Sequence, residues 1–449
     1  MNKRYYLLIL LGLGLLTRFA FFGHPSETVF DEVLFGKFVS GYYTREYFFD
    51  IHPPLGKLAI AGFAKLFDFK PGFAFAEIGN KFPDKQYLVL RFLPGLAGAL
   101  LPLIIYLLLM EMGIPPISSF FGGLLIVFEN ALITQSHYIL MDSFLLLFGF
   151  AALYCYLAWK NGKSKWLLLA SGILAGMSVS VKWTGLSFLA IIVVLELLHL
   201  WKDRYVSAKK RLLPVFLSLL IVPVAIYFSI FVIHLNLLNK SGPGDAFMSA
   251  GFQKTLIGSK YANDPATPSN IFQKFIEVNN EMYKANQGLT ATHPYSSQWY
   301  SWPLMARPIY YWVDGDARIY LLGNPIIWWL STVAVLYLVF SILYLVLNRF
   351  DTKYKIQNTL YFLLGGYILN LLPFIGVKRV MFLYHYFTAY IFAIMIMVWL
   401  ISKQKNSKLI FGIILTASVV SFIFFAPLSY GLDLSSKAFK ARIWLSGWE

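Results

Sequence analysis

The sequence predicts an all-α polytopic membrane protein, on three observations. Over 449 residues, 58% are hydrophobic and the mean hydropathy is +0.63, too apolar for a water-soluble globule of that length. Apolar stretches of the roughly 17 to 25 residues that cross a bilayer recur from one end to the other. The Lys and Arg residues behind a net charge of +16 fall mainly between those stretches, where anionic headgroups and the positive-inside bias account for them. No basic stripe has the interleaved polar surface of a soluble nucleic-acid binder, so nucleic acid is not an expected partner. The single cysteine, Cys155, lies inside an apolar run and excludes an intrachain disulfide or a thiolate metal cluster.

The opening MNKRYYLLILLGLGLLTRFAFFGH has the basic flank and apolar core of a signal peptide. No small-x-small cleavage site follows, and Arg18 interrupts its far end, so it reads as a retained first span with Lys3 and Arg4 cytoplasmic. Spans are expected at 5–22, 87–109, 116–134, 138–158, 166–182, 184–201, 212–234, 326–347, 358–376, 380–401 and 408–427, eleven in all. The inner connections then hold Lys160, Lys163 and Lys165; Lys202, Arg204, Lys209, Lys210 and Arg211; Arg349, Lys353 and Lys355; and Lys403, Lys405 and Lys408. This topology is self-consistent and puts the carboxyl terminus outside. Lys182 leaves open whether 166–201 is one long helix or two short ones.

Two long connections fall outside, 23–85 and 235–325. The first contains LGKLAIAGFAKLF (55–67), whose Lys57 and Lys65 punctuate an otherwise apolar helix in the manner of a helix lying in the membrane interface. In the second, Ile271, Phe275, Val278 and Met282 recur at helical spacing and predict an amphipathic helix over 270–287. It is followed by the aromatic, proline-broken HPYSSQWYSWPLMARPIYYW. With no internal repeat or low-complexity linker, residues 1–449 read as a single integral-membrane domain.

The first outer loop carries the densest chemistry. Asp31 and Glu32 lie close to the membrane plane, where an ionisable group is costly unless hydrated or paired; an interfacial turn in solvent is the alternative. Adjacent carboxylates on a regular helix cannot share one pocket, so one is the candidate reacting group and the other a partner for a cation that holds the loop. His52 sits in a turn stiffened by Pro53 and Pro54 and either orients a substrate group or is simply exposed. Arg18, Arg45, Lys57, Arg91, Lys182, Arg307, Lys378 and Arg379 share this membrane face. Headgroups account for most of them, but Arg18 and Arg91 lie in or beside apolar runs and need an anionic partner such as a phosphate. Glu129, Asn130, Gln135, His137 and Asp142 bracket the outer turn between the third and fourth spans, and Glu196 near the inner face reads as a structural pair. His24, His52, His137, His293 and His385 have no ligand spacing on a helix, so no metal is expected. Walker, Rossmann and nucleophile-elbow patterns are missing from the sequence.

The stretch FDEVLFGKFVSGYYTREYFFDIHPPLGKL resembles the first luminal loop of the protein O-mannosyltransferases, polytopic GT-C glycosyltransferases that use a polyprenyl-phosphate mannose donor. The resemblance continues in order through LRFLPGLAGALLPL, FENALITQSHYILMDSFLLLF, SVSVKWTGL, HPYSSQWYSWPL, LGNPIIWW and KRVMFLYHYF. It implies the GT-C fold with about eleven transmembrane helices, in agreement with the count above. It implies Asp31 as catalytic base and Glu32 as the neighbouring acid. Donor-side roles are implied for Arg18, Arg91, His385 and Tyr386; alongside them, Lys378 or Arg379 is expected to help Arg91 hold the departing phosphate, and His52 to orient a substrate group. One departure stands out: the 91 residues of 235–325 leave no room for the β-trefoil MIR domain that eukaryotic members insert there, so the chain looks like a prokaryotic member. The expected donor is polyprenyl-phosphate mannose, with no obligatory cofactor. Expected partners are secreted or membrane proteins bearing Ser or Thr, and membrane lipid, with coupling to a translocon. The expected location is a prokaryotic inner membrane, with the site outside. Competing readings are a GT-C enzyme moving a sugar such as aminoarabinose onto a lipid or glycan, a lipid or solute transporter, and an assembly subunit. A transporter predicts paired halves with broken helices in equivalent positions, a pattern not found.

Overall fold

The structure, a computed structural model, describes residues 3–202, 208–288, 292–347 and 358–449. Arg204, Arg349, Lys353 and Lys355 of the expected inner connections lie outside the described residues.

Helix α1 (Lys3–Phe19) leads into the helices α2 (Glu32–Thr44) and α3 (Leu55–Lys65) of the first long connection. Then follow α4 (Tyr87–Glu111), α5 (Pro116–Val127), α6 (Asn130–His137), α7 (Asp142–Lys160), α8 (Trp166–Val181), α9 (Leu186–Lys202), α10 (Ala208–Phe216) and α11 (Val222–Leu237). The second long connection holds α12 (Ala250–Gln253), α13 (Ile271–Gly288) and strands β1 (Ile309–Asp314) and β2 (Ala317–Leu321). The chain closes with α14 (Pro325–Leu347), α15 (Asn358–Leu371), α16 (Phe387–Ser402), α17 (Ser407–Tyr430) and α18 (Ser436–Lys440). Among the described residues seven helical stretches are long and apolar enough to cross a membrane, or eight if the bent pair α5–α6 is one span. The other three expected spans coincide with the shorter apolar helices α1, α8 and Trp183–His199. The chain is an integral membrane protein.

Apolar residues all round make α16 the central helix, with every side chain from Phe387 to Val398 buried. It packs against α5, α14 and α15, while α7 packs against α4 and α8. Small residues set the closest approaches. A Cβ on Gly172 of α8 would lie 1.7 Å from the carbonyl oxygen of Ser218, in the π-helical turn Leu217–Ile221 that joins α10 to α11.

Four expectations are corrected. The expected straight span 116–134 is bent by 55°, because the Glu129 carboxylate caps α6 through Leu132 N at 2.7 Å and also takes Asn324 N at 2.7 Å. The span expected from 138 begins at Asp142, since Tyr138 is extended and the Ile139 N–H is committed to Glu32 at 2.9 Å. Lys57 does not face headgroups: its ammonium is buried and binds Asp50 and the His52 carbonyl at 2.9 Å. Finally, the aromatic segment is not wholly irregular, because β1 and β2 form an antiparallel hairpin with Asp314 opposite Ala317. Gly315 opens its two-residue turn at φ +53°, the left-handed geometry such turns require. The amphipathic helix expected over 270–287 is α13, with Val278 and Met282 buried.

Replacing Gly172 by Val should lower the thermal midpoint of the detergent-solubilised protein, since overpacking typically costs about 1–3 kcal/mol. Gly412→Val, where the added group meets nothing within 4 Å, should leave the midpoint unchanged; equal effects would contradict this packing.

Candidate active site

Phe30 holds the turn into α2 in the left-handed region at φ +46°, a conformation costing a bulky residue about 1–3 kcal/mol. Its ring stacks on Tyr311 of β1 at 4.0 Å and 6°, and its N–H donates to the Tyr311 carbonyl at 3.2 Å. The next two residues have opposite fates. The Glu32 carboxylate is fully buried: it accepts from Arg91 Nε and Nη2 at 2.7 Å each, from Val29 N at 2.9 Å and from Ile139 N at 2.9 Å. Asp31 occupies the N-cap position of α2, yet its side chain makes no capping hydrogen bond. No hydrogen bond or ion pair engages its carboxylate among the described residues. Burial raises its pKa to about 7, with Lys182 opposing and Asp142 and Asp50 adding to the rise.

Two of those neighbours, Lys182 and Asp142, line a cavity of about 470 Å³ together with His52, Asn286, Arg379 and His385. Its deeper wall is apolar, from Leu145 and Leu146 of α7 to Leu186 and Phe387. Lys182, at the break between α8 and α9, donates to both Asp142 oxygens at 2.8 and 2.9 Å. Gln135 Nε2 donates to the same carboxylate at 2.7 Å. His52 is pushed well below the ordinary histidine range, first by burial and then by Lys182, Lys57 and Arg379, so its ring is neutral. Arg379 has no carboxylate partner among the described residues; its guanidinium donates to Asn286 Oδ1 and meets His385 Nε2 at 3.1 Å. His385 Nδ1 lies 3.0 Å from the Phe382 carbonyl. Because Arg379 can only donate, a neutral ring accepts at Nε2 and carries its proton at Nδ1, donating to Phe382 O; the Phe382 N–H, 3.1 Å from the same Nδ1, is then not accepted there.

The structure thus brings His52, Arg379 and His385 to one cavity, with Asp31 within electrostatic reach of its charged wall. It does not bring Arg18, Arg91, Lys378 or Tyr386 there. The need of Arg91 for an anion is met by Glu32, and its Nη1 and Nη2 also donate to the Pro25 and Glu27 carbonyls at 2.7 Å each. Arg18 donates to the carbonyls of Val127 at 2.6 Å and Ile126 at 2.7 Å, at the end of α5. Lys378 is exposed, and the buried Tyr386 hydroxyl lies 3.3 Å from that of Tyr367. Glu196 pairs with Lys160 at 3.2 Å and Tyr156 at 2.9 Å. Among the described residues no three His, Cys, Asp or Glu side chains group as metal ligands. Sequence reasoning passed over Asn286 and did not pair Lys182 with Asp142; for the latter the signal was a charged residue ending one apolar run and another opening a second.

A family model described as dolichyl-phosphate-mannose-protein mannosyltransferase matches residues 8–239. A model of the C-terminal four-span region of protein O-mannosyltransferase matches 271–448. The dolichyl-phosphate-mannose–protein mannosyltransferase 1 of Candida albicans is 39% identical over 279 residues, 59% of this chain and 32% of the relative. The chain spans about a third of the length of the curated relatives it matches first. Among solved structures, the S. cerevisiae protein O-mannosyltransferase Pmt1-Pmt2 complex bound to the sugar donor aligns with a TM-score of 0.94 at 22% identity, covering 100% of this chain and 93% of that one. The apo Archaeoglobus fulgidus oligosaccharyltransferase aligns at 0.58 and 13% identity, over 98% of this chain and 57% of its own. The shared fold is GT-C.

The two adjacent carboxylates should respond oppositely to neutralisation. Glu32→Gln strands a buried guanidinium and should cost about 3–5 kcal/mol, read as a lower thermal midpoint. Asp31→Asn removes a carboxylate that has no partner and should leave the midpoint unchanged or raised; a matching drop in both variants would refute this division of roles.

Proposed function

This chain belongs to the dolichyl-phosphate-mannose–protein mannosyltransferase family, and from that premise we propose that it moves mannose from a polyprenyl-phosphate donor to Ser or Thr hydroxyls of proteins. The observation that carries the reading is the division of charge at the site. Asp31 is a carboxylate that accepts no hydrogen bond among the described residues, with a pKa raised to about 7. Arg379 is a cavity cation without a carboxylate partner among the described residues. The first suits a base, the second a phosphate.

The reaction is one in-line displacement with inversion. The acceptor oxygen attacks the anomeric carbon, its proton passes to Asp31, and the bond from that carbon to the phosphate oxygen breaks. The lipid phosphate departs as an anion held by Arg379. A glycosidase needs a second carboxyl to protonate its leaving alkoxide, but a phosphate leaves already charged, so one base suffices. Neutral His52 orients the sugar, Lys182 adds positive potential over the cavity, and the apolar wall accepts the polyprenyl chain.

The proposal extends to the whole setting. The two outer loops, 23–85 and 235–325, and the spans act as one unit, and acceptor choice rests on those loops rather than on an inserted MIR domain. The enzyme works in a prokaryotic inner membrane, amino terminus inside and site outside, on chains delivered by a translocon.

The test is the purified full chain with polyprenyl-phosphate mannose and either a Ser/Thr-rich peptide or a lipid acceptor, with the product read by mass spectrometry. Mannosyl peptide is expected; a product on lipid alone overturns the protein-acceptor reading. Asp31→Asn should lose about 10²- to 10⁴-fold in rate. The wild-type kcat/KM should rise with pH through about 7, because the carboxyl is protonated below that value and able to accept a proton above it; a flat profile would remove Asp31 as the base.

A further inference from the structure

Helix α13 lies outside the membrane spans, yet its Asn286 lines the cavity and its Asn279 is linked to the lining residue Trp183 through Tyr227. Asn279 and Asn286 are two turns apart and share a face. Each donates Nδ2 to the carbonyl four residues earlier, Phe275 and Met282, at 2.8 Å in both cases. This back-bonding fixes which way the amide points and leaves Oδ1 as an outward acceptor. Asn279 Oδ1 takes the Tyr227 hydroxyl at 2.6 Å, which in turn accepts from Trp183 Nε1 at 2.8 Å, and Trp183 lines the cavity. Asn286 Oδ1 takes Arg379 Nη1, while its Nδ2 also reaches the Ile51 carbonyl at 3.1 Å, next to His52.

Arg379 is therefore held on two sides by neutral acceptors, Asn286 at Nη1 and His385 at Nη2. Three of its five N–H groups stay available, enough for a bidentate grip on a phosphate. We propose that Asn286 is a positioning residue for donor binding, aiming the Arg379 guanidinium at the lipid phosphate and making α13 the strap that sets the cavity rim. The inference rests on the reading of Arg379 as the phosphate-binding cation. Asn286 does not touch the reacting atoms. A carboxylate in its place would orient the guanidinium equally well but would also neutralise it.

The experiment is binding of undecaprenyl phosphate, without sugar, to the full chain in lipid nanodiscs, read as Kd by microscale thermophoresis beside the thermal midpoint. Arg379→Ala should weaken binding strongly. Asn286→Ala should raise Kd about tenfold, and Asn286→Asp should raise it further although it is nearly isosteric, with neither changing the midpoint. In an Arg379→Ala background, Asn286→Ala should add nothing, the signature of a residue acting through another. Wild-type Kd in both Asn286 variants, or losses that multiply in the double variant, would overturn the proposal while leaving the Arg379 reading intact. An unchanged Kd in Arg379→Ala would overturn both. Normal binding behaviour with no transfer to peptide would sink the proposed reaction and leave the role of Asn286 standing.

Discussion

The buried pair of Glu32 and Arg91 is the interaction on which the site depends. Four hydrogen bonds converge on one carboxylate, from the Arg91 guanidinium of α4, from Val29 in the first outer loop and from Ile139 between α6 and α7. Arg91 returns two more to the Pro25 and Glu27 carbonyls. Three stretches far apart in sequence are thereby pinned to one point. Removing either partner would leave an uncompensated charge where water cannot reach it, which is far more costly than the pair is stabilising. Because Glu32 is held this firmly, Asp31 next to it can remain without a partner, and Phe30 can keep a strained backbone supported by Tyr311.

The same economy of pairing runs through the remaining cations. Lys57 is matched by Asp50, Lys182 by Asp142, and Arg18 by main-chain carbonyls at the end of α5. Each match fixes a loop or helix break that forms part of the cavity or its support. Arg379 differs: among the described residues its hydrogen-bond partners are neutral. A partly desolvated guanidinium without a counter-ion favours any anion that can reach it.

Much of this was legible in the sequence, and the failures have a common cause. The spans were readable because hydropathy over about 20 residues reports bilayer crossing directly, and the expected 87–109 and 408–427 lie within α4 and α17. That one of two adjacent carboxylates would pair with a cation that holds the loop followed from helix geometry, and Glu32 does so with Arg91. Which cation is left without an anionic or main-chain match did not follow: Arg18, Arg91 and Arg379 look alike in composition, and only the fold shows that the first two are already satisfied. The hairpin was overlooked although Asp314-Gly315 between aromatic runs is a hairpin signal, because Pro303 and Pro308 suggested a broken segment. Lys57 was read as interfacial because its counter-ion, Asp50, lies in the preceding turn and not on the same helix.

The neutral surroundings of Arg379 also answer a requirement of transfer from a lipid phosphate. The cation must be oriented before the donor arrives, or ordering it then subtracts from binding, and a carboxylate is the usual means of orienting an arginine. Such a carboxylate would oppose the phosphate throughout, and most strongly as the leaving group gains charge in the transition state, where stabilisation matters to the rate. An amide fixed by back-bonding to its own helix, and a histidine fixed by the Phe382 carbonyl, give orientation without charge. In the proposed reaction the carboxylates serve elsewhere, Asp31 as the base and Asp142 tempering Lys182 at the cavity wall.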